Sequence, residues 1–259
     1  MTQEERRVFL IKKLLAEHPR YAGFAVPQHG MEQQTLLRSL MNVRSPAPIC
    51  DGFLKVQDEY LRAETAAKGV TDLADLSPIS DGLYLWQGDI TTLRCDAIVN
   101  AANSGMTGCY VPCHRCIDNC IHTYAGIQLR LECARLMEEQ GHEEETGKAK
   151  ITPAYNLPCK YVIHTVGPIV GQRVTDEDRA LLASCYRSCL TLADQNGLKS
   201  IAFCCVSTGE FHFPNDQAAA IALQTVKDYK RQTGSKIEVI FNVFKDIDAE
   251  IYRALLAEC

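Results

Sequence analysis

The sequence predicts a three-layer α/β/α domain with a mixed, mainly parallel central sheet, preceded by a helical N-terminal extension. Two observations carry this prediction. After the turn-rich LSPISDG at 76–82, short β-rich runs alternate with longer stretches of helical periodicity, the pattern of strand–helix–strand units. Before that turn, apolar residues recur only at helical spacing. The boundary divides the chain into an extension over 1–78 and an α/β domain over 79–259.

In the extension, Val8, Ile11 and Leu15, then Leu36, Leu37, Leu40 and Met41, then Phe53, Val56 and Tyr60 each mark one apolar helix face, so three amphipathic helices are expected. The Pro- and Gly-bearing segments HPRYAGFAVPQHG and VRSPAPICDG separate them. The first 75 residues carry 10 basic and 10 acidic side chains and no convergent chemistry. Their apolar stripes need a partner surface, and the α/β layers are the nearest one. The extension is therefore expected to dock there and to influence the target of the protein, not its chemistry.

In the α/β domain the strand-like runs are LYLWQGDI, DAIVNAAN, AKITPAY, KYVIHTVGP, SIAFCCVST and IEVIFNVF, and the helices are expected near 117–140, 176–195, 215–233 and 249–258. Open sheets of this kind bind ligands beyond the C-terminal ends of their strands. The loops after IVN and after CCV are thus the places to look for a site.

Composition narrows the function classes. With 46% hydrophobic and 23% charged residues, the 259-residue chain is an ordinary globular one. A net charge of -5 provides no basic field for a phosphate backbone, which argues against general nucleic-acid binding. The opening MTQEERRVFLIKKLLAEH places Glu4 and Glu5 where a signal peptide is basic, and no apolar run approaches the roughly 20 residues of a membrane span. A cytoplasmic protein without membrane contact is expected. Its thirteen cysteines then read as reduced thiols or metal ligands, not as a disulfide framework. Cys185 and Cys189 at helical spacing, and Cys204 and Cys205 in a strand, fit a core as small hydrophobes.

Three loops carry chemistry. IVNAAN ends a strand with two Asn residues three apart, whose amides can serve sugar hydroxyls or simply satisfy the loop backbone. VSTGEFHFP at 206–214 lies between a strand and a helix, and Ser207, Thr208 and Gly209 can present successive backbone N–H groups to a diphosphate. GCYVPCHRCIDNCIH at 108–122 packs four cysteines and two histidines into fifteen residues. Cys109, His114 and Cys116 form a ligand set that suits zinc, and Cys113 or Cys120 as a fourth ligand would close the site. Spacing alone does not choose between a closed structural site and an open one. Asp118 and His122 follow, four residues apart on the next helix. An acid in a first turn is favoured by the helix dipole without any catalytic role, but Asp118 stands beside the metal candidates. His122 reads as a packed, hydrogen-bonded residue.

GDIT, IVNAAN, CIDNCIH, YVIHTVGP and STGEFHFP, in this order and spacing, resemble a macrodomain, the ADP-ribose-binding α/β/α module, over about 83–258. The Cys/His cluster replaces the glycine-rich loop of MacroD-type hydrolases and is similar to that of zinc-dependent bacterial macrodomains, which carry a helical N-terminal extension. That resemblance implies a protein-ADP-ribose hydrolase with one zinc per chain on Cys109, His114 and Cys116, and Asp118 and Asn103 as catalytic residues. It implies that Asp89 and Ile90 meet adenine, that Asn103 holds the distal ribose, and that Ser207, Thr208, Gly209, Glu210 and Phe211 hold the diphosphate and its sugar. Glu210 is more acidic than is usual there, so only its backbone is expected to bind. The substrate implied is mono-ADP-ribose on a protein, with an Asp or Glu ester as the easiest linkage. A lipoylation-linked carrier protein and a sirtuin-like ADP-ribosyltransferase are the implied partners. A non-catalytic reader with structural zinc and an O-acetyl-ADP-ribose deacetylase are the alternatives.

Overall fold

In the extension, α1 (Gln3–Ala16) begins at a capping box in which Thr2 and Glu5 satisfy each other's backbone N–H, and α2 (Gly30–Val43) and α3 (Asp51–Lys68) follow. A computed structural model describes all residues of the chain except Ala22, Asp81, Glu258 and Cys259. The three apolar stripes meet in one cluster that includes Leu10, Ile11, Leu37, Leu40, Phe53 and Leu61. Ile127 of the α/β domain completes that cluster, so the extension docks where its stripes required.

The short strand β1 (Thr71–Asp72) runs parallel to β3 (Leu93–Arg94). The main sheet is built from β2 (Leu83–Gln87), β4 (Ala97–Ala102), β5 (Ala149–Pro153), β6 (Tyr161–Val166), β7 (Ser200–Phe203) and β8 (Glu238–Val243). Their spatial order is β2-β8-β7-β4-β6-β5, and every pairing is parallel except β5 with β6. Helices α4 (Ile117–Ala125) and α5 (Ile127–Gln140) pack together, while α6 (Asp176–Gln195), α7 (Asn215–Thr233) and α8 (Asp246–Ala257) form a second packed row. The core between them buries both faces of the sheet, with Val99, Ile163, Ile201 and Ile240 fully inaccessible. Two-sided burial explains why these strands read as continuous apolar runs.

Three boundaries differ from expectation. The strand expected to hold Cys204 and Cys205 ends at Phe203, so both cysteines lie just beyond β7, Cys204 buried and Cys205 half-buried. The helix expected over 117–140 is broken at Gly126, whose φ of 97° leaves the helical region. The break is sustained from outside: Gln57 of α3 accepts the Ile127 N–H at 3.0 Å, and Asn156 donates to the Ala125 carbonyl at 3.0 Å. The last helix starts at Asp246 instead of 249, and its expected final residue, Glu258, lies outside the described residues.

β4 and β7 are central, adjacent and parallel, paired Ala97 to Ile201 and Ile98 to Ala202. Their C-terminal ends therefore deliver the loops at 103–116 and 204–214 side by side at one edge of the sheet.

Candidate active site

The two Asn side chains at the end of β4 converge on Asp118. Asn100 Nδ2 donates to Asp118 Oδ1 at 2.8 Å, and Asn103 Nδ2 donates to Oδ2 at 3.2 Å. Asn103 also donates to the Gly108 carbonyl and accepts from the Gly105 N–H, so the two readings of this residue coexist in one side chain. Asp118 sits in the first turn of α4 and is buried. Burial pushes its carboxyl up to about 6 against the opposing pull of Asn100, Arg130 and Asn103. His122 is packed as expected, 3.5 Å from Asp118 Oδ1, but its ring nitrogens make no hydrogen bond among the described residues. Burial first, then His164 and Arg130, hold it well below its usual pKa, so it is neutral.

The Cys/His loop brings the ligand atoms of Cys109, His114 and Cys116 within 4.8 Å of one another, with Cys109 Sγ 3.6 Å from His114 Nδ1. Two sulfurs and an imidazole nitrogen at this separation fit a tetrahedral zinc. Cys116 is also the N-cap of α4, and its Sγ accepts the Asn119 N–H at 3.4 Å. Neither fourth-ligand candidate points into this group. Cys113 Sγ contacts Ser39 Oγ at 3.2 Å, and Cys120 Sγ contacts Arg38 at 3.5 Å. Three side chains would therefore face a metal bound here, which is the open arrangement. A second cluster of His122, Cys133 and His164 is buried beneath, where Asn100 and Thr152 meet the two nitrogens of His164 at 3.1 and 3.0 Å.

The loop after β7 is shaped by backbone. Ser207 has φ 65° and His212 φ 58°, and the turn is closed by Phe213 N–H to Ser207 O at 3.0 Å and His212 N–H to Gly209 O at 3.1 Å. Among the described residues, the N–H groups of Ser207, Gly209, Glu210 and Phe211 donate to no protein acceptor, whereas Thr208 N–H is directed at Cys205 O. Such a run of free donors has the character of an anion cradle. The Phe211 carbonyl is anchored by Val170 N–H at 2.9 Å. The Glu210 side chain is exposed, and its Oε1 lies 3.5 Å from His114 Nε2, so it reaches the metal-ligand loop.

Asp89 caps the 3-10 turn Ile90–Thr92, accepting from Thr91 N at 3.0 Å and Thr91 Oγ1 at 2.6 Å. Its other oxygen meets Lys68 Nζ of α3 at 3.1 Å, and Lys68 in turn lies 3.4 Å from the Tyr124 ring centroid. Burial raises the Asp89 pKa, but the bonds from Thr91 and the charge of Lys68 outweigh it and leave it below the usual range. The Ile90 side chain is core and its carbonyl accepts the Leu93 N–H, which leaves its backbone N–H for a ligand.

Sequence reasoning passed over Lys68, Arg38, Asn42, Asn119 and Arg130, all of which touch the site's loops. The only local signal was Asn119, inside the Cys/His segment itself.

Comparison with known proteins agrees with this geometry. The Macro domain family model matches residues 99–222. A protein from Treponema medium named protein-ADP-ribose hydrolase is 58% identical, covering 99% of this chain and 100% of its own length. One of the same name from Staphylococcus aureus is 49% identical over 97% of this chain and 95% of its own. The crystal structure of a Trypanosoma brucei macrodomain in complex with ADP-ribose superposes with a TM-score of 0.66 at 30% identity, covering 85% of this chain and 94% of that one. With near-complete coverage at such identity, the chain belongs to the macrodomain family.

Proposed function

We propose that this protein is a protein-ADP-ribose hydrolase that removes mono-ADP-ribose from Asp or Glu esters, with one zinc at Cys109, His114 and Cys116. The hydrolase activity is that of the named relatives that align with it end to end. The observation that carries the chemical reading is the position of Asp118: it is hydrogen-bonded to Asn103 and lies two residues beyond the ligand candidate Cys116.

In this reading the free N–H groups of Ser207, Gly209, Glu210 and Phe211 hold the diphosphate, Phe211 packs on the sugar, and Asn103 holds the distal ribose. Asp89 and the Ile90 backbone meet adenine. Asp118 takes the proton of the attacking water as its oxygen bonds to the anomeric carbon of the distal ribose, while the bond from that carbon to the target's carboxyl oxygen breaks. The departing group leaves as a carboxylate and needs no proton, which is why an ester is the preferred linkage. Zinc, when bound, supplies Lewis-acid stabilisation at a ribose hydroxyl or at the water. A reader with structural zinc is disfavoured because Cys113 and Cys120 are turned towards α2 instead of closing the site.

The test is to incubate metal-replete protein with peptides ADP-ribosylated on Asp, Ser or Arg and with O-acetyl-ADP-ribose. Release of ADP-ribose from the Asp peptide is expected. Binding without turnover of any of the four would overturn the reading.

A further inference from the structure

We propose that helix α2 of the N-terminal extension is the template for the metal-ligand loop, and that Arg38 and Asn42 are positioning residues for Cys109, His114 and Cys116. The proposal rests on the zinc reading above for its chemistry, and on the hydrogen bonds for its geometry.

Between Gly108 and Cys116 the chain has no helix or strand, and the backbone bond that it forms within itself is His114 N–H to Val111 O at 3.2 Å. Its shape is therefore imposed from outside. Arg38 Nη2 donates to the carbonyl of His114 at 2.7 Å and to Asn119 Oδ1 at 2.9 Å. Because a guanidinium can only donate, it fixes which way the Asn119 amide faces. Asn119 Nδ2 is thereby turned to the carbonyls of Cys109 at 3.3 Å and Val111 at 3.0 Å. The Asn119 backbone N–H meets Cys116 Sγ. Each of the three ligand residues is thus held by Arg38 or by the residue that Arg38 orients.

Asn42, one helical turn further along α2, is buried and accepts the Cys113 N–H at 2.9 Å while donating to Thr123 Oγ1 at 2.9 Å. It pins the tip of the loop, where Cys113 has φ 54°. Arg130 of α5 completes the fixture. Its guanidinium donates to the carbonyls of Asn42 and Arg44 at the end of α2, and to those of Thr107 and Cys109 at the start of the loop. A cation at a helix C-terminus is favoured by the helix dipole, so α2 and the loop are joined through one charge. The extension, which looked chemically empty, is in this account part of the metal site.

The experiment compares full-length wild type with Arg38→Met, Arg38→Lys and, as a control inside the extension, Arg6→Ala, whose side chain bonds Glu59 and not the loop. The readouts are zinc transfer to a coloured chelator, the thiolate-to-metal absorption of the cobalt-substituted protein, amide exchange of the 108–117 segment in metal-free protein, and calorimetry with ADP-ribose. Arg38→Met should release zinc roughly 10- to 100-fold faster, the usual size of an outer-shell effect on metal affinity. Its cobalt absorption should shift and its 108–117 amides should exchange faster, with ADP-ribose binding within about threefold of wild type. Arg38→Lys keeps the charge but not the fork and should fall between. Arg6→Ala should match wild type throughout. Wild-type zinc transfer and amide exchange in folded Arg38→Met would overturn the proposal, as would equal losses in Arg6→Ala. If wild type takes up neither zinc nor cobalt, the zinc reading fails by itself; faster loop exchange in Arg38→Met then supports the template and unchanged exchange overturns it.

Discussion

The loops that follow β4 and β7 leave neighbouring parallel strands toward the same edge of the sheet, yet they are built on opposite principles. The loop after β7 is shaped mainly by its own backbone: its turn is closed by its own carbonyls, two of its residues have positive φ, and Val170 N–H anchors it at Phe211 O. The loop after β4 is held by side chains of other elements, chiefly Arg38, Asn42, Asn119 and Arg130. A backbone cradle suits a diphosphate, which asks only for donors. A ligand loop must place particular side-chain atoms, and that requires a rigid surround. In this molecule the generic half of the site is largely self-contained and the chemically specific half is distributed over distant segments.

The largest effect should come from the specific half. Asp118→Ala should lower the hydrolytic rate by roughly 100-fold to 10,000-fold, the range for a positioned acid or base, while the cradle continues to bind ADP-ribose. A single-turnover assay and calorimetry on the same variant separate the two effects. Parallel loss of both would erase the contrast between the halves by making Asp118 a binding residue. Next come the cysteines. Cys109→Ser or Cys116→Ser should reduce zinc from about one per chain to nearly none, because a hydroxyl is a poor replacement for a thiolate. Cys113→Ser and Cys120→Ser should keep it, since their sulfurs face Ser39 and Arg38. Elemental analysis of protein purified without an affinity tag decides, and zinc loss from Cys113→Ser would restore the closed site.

The self-contained half predicts the reverse pattern. A Cβ on Gly167, which follows β6, would lie 2.0 Å from Ser207 Oγ and 3.0 Å from Val206 Cγ1. Gly167→Ala must therefore displace the Ser207 side chain, at a residue whose φ is 65°, and is expected to disturb the neighbouring N–H groups. ADP-ribose should bind roughly tenfold more weakly, equivalent to about 1.4 kcal/mol, with zinc content unchanged. Zinc loss in this variant, measured by the same elemental analysis, would mean that the two loops are mechanically coupled and not separate.

How much of this was legible in the sequence follows the same division. The strands announced themselves as apolar runs because both sheet faces are buried, and the N-terminal helices through their stripes. Cys109, His114 and Cys116 stood out by density and spacing, and the structure brings their ligand atoms together. Ser207 to Phe211 stood out as a loop between a strand and a helix. Arg38 and Asn42 gave no signal, because a polar residue on an amphipathic helix looks the same whether it faces water or a loop more than seventy positions away. The break at Gly126 was visible only as a glycine in a helical pattern; what sustains it is Gln57, in another helix. Local chemistry is written locally, and the fixtures that orient it are tertiary.

Glu210 reaches from one half to the other, and the smallest effect is expected there. It belongs to the cradle by position, but its carboxylate lies 3.5 Å from Nε2 of His114, whose Nδ1 faces Cys109. A carboxylate on the far nitrogen of a metal-bound imidazole fixes the ring and strengthens it as a ligand. This carboxylate is 69% exposed on its side chain, so water competes for it and its contribution should be far below that of a buried partner. Glu210→Gln keeps the shape and an amide oxygen, and zinc transfer to a chelator should accelerate by only about two- to fivefold, under the usual outer-shell range. Removing the negative charge should also ease the approach of the diphosphate, tightening ADP-ribose binding by about twofold at low salt and less as salt screens it. Measuring both quantities at two ionic strengths distinguishes the roles. A tightening that fades with salt together with faster zinc release places Glu210 between the loops. Faster release alone assigns it to the ligand loop, and no change in either would leave the two halves of the site without a side-chain link.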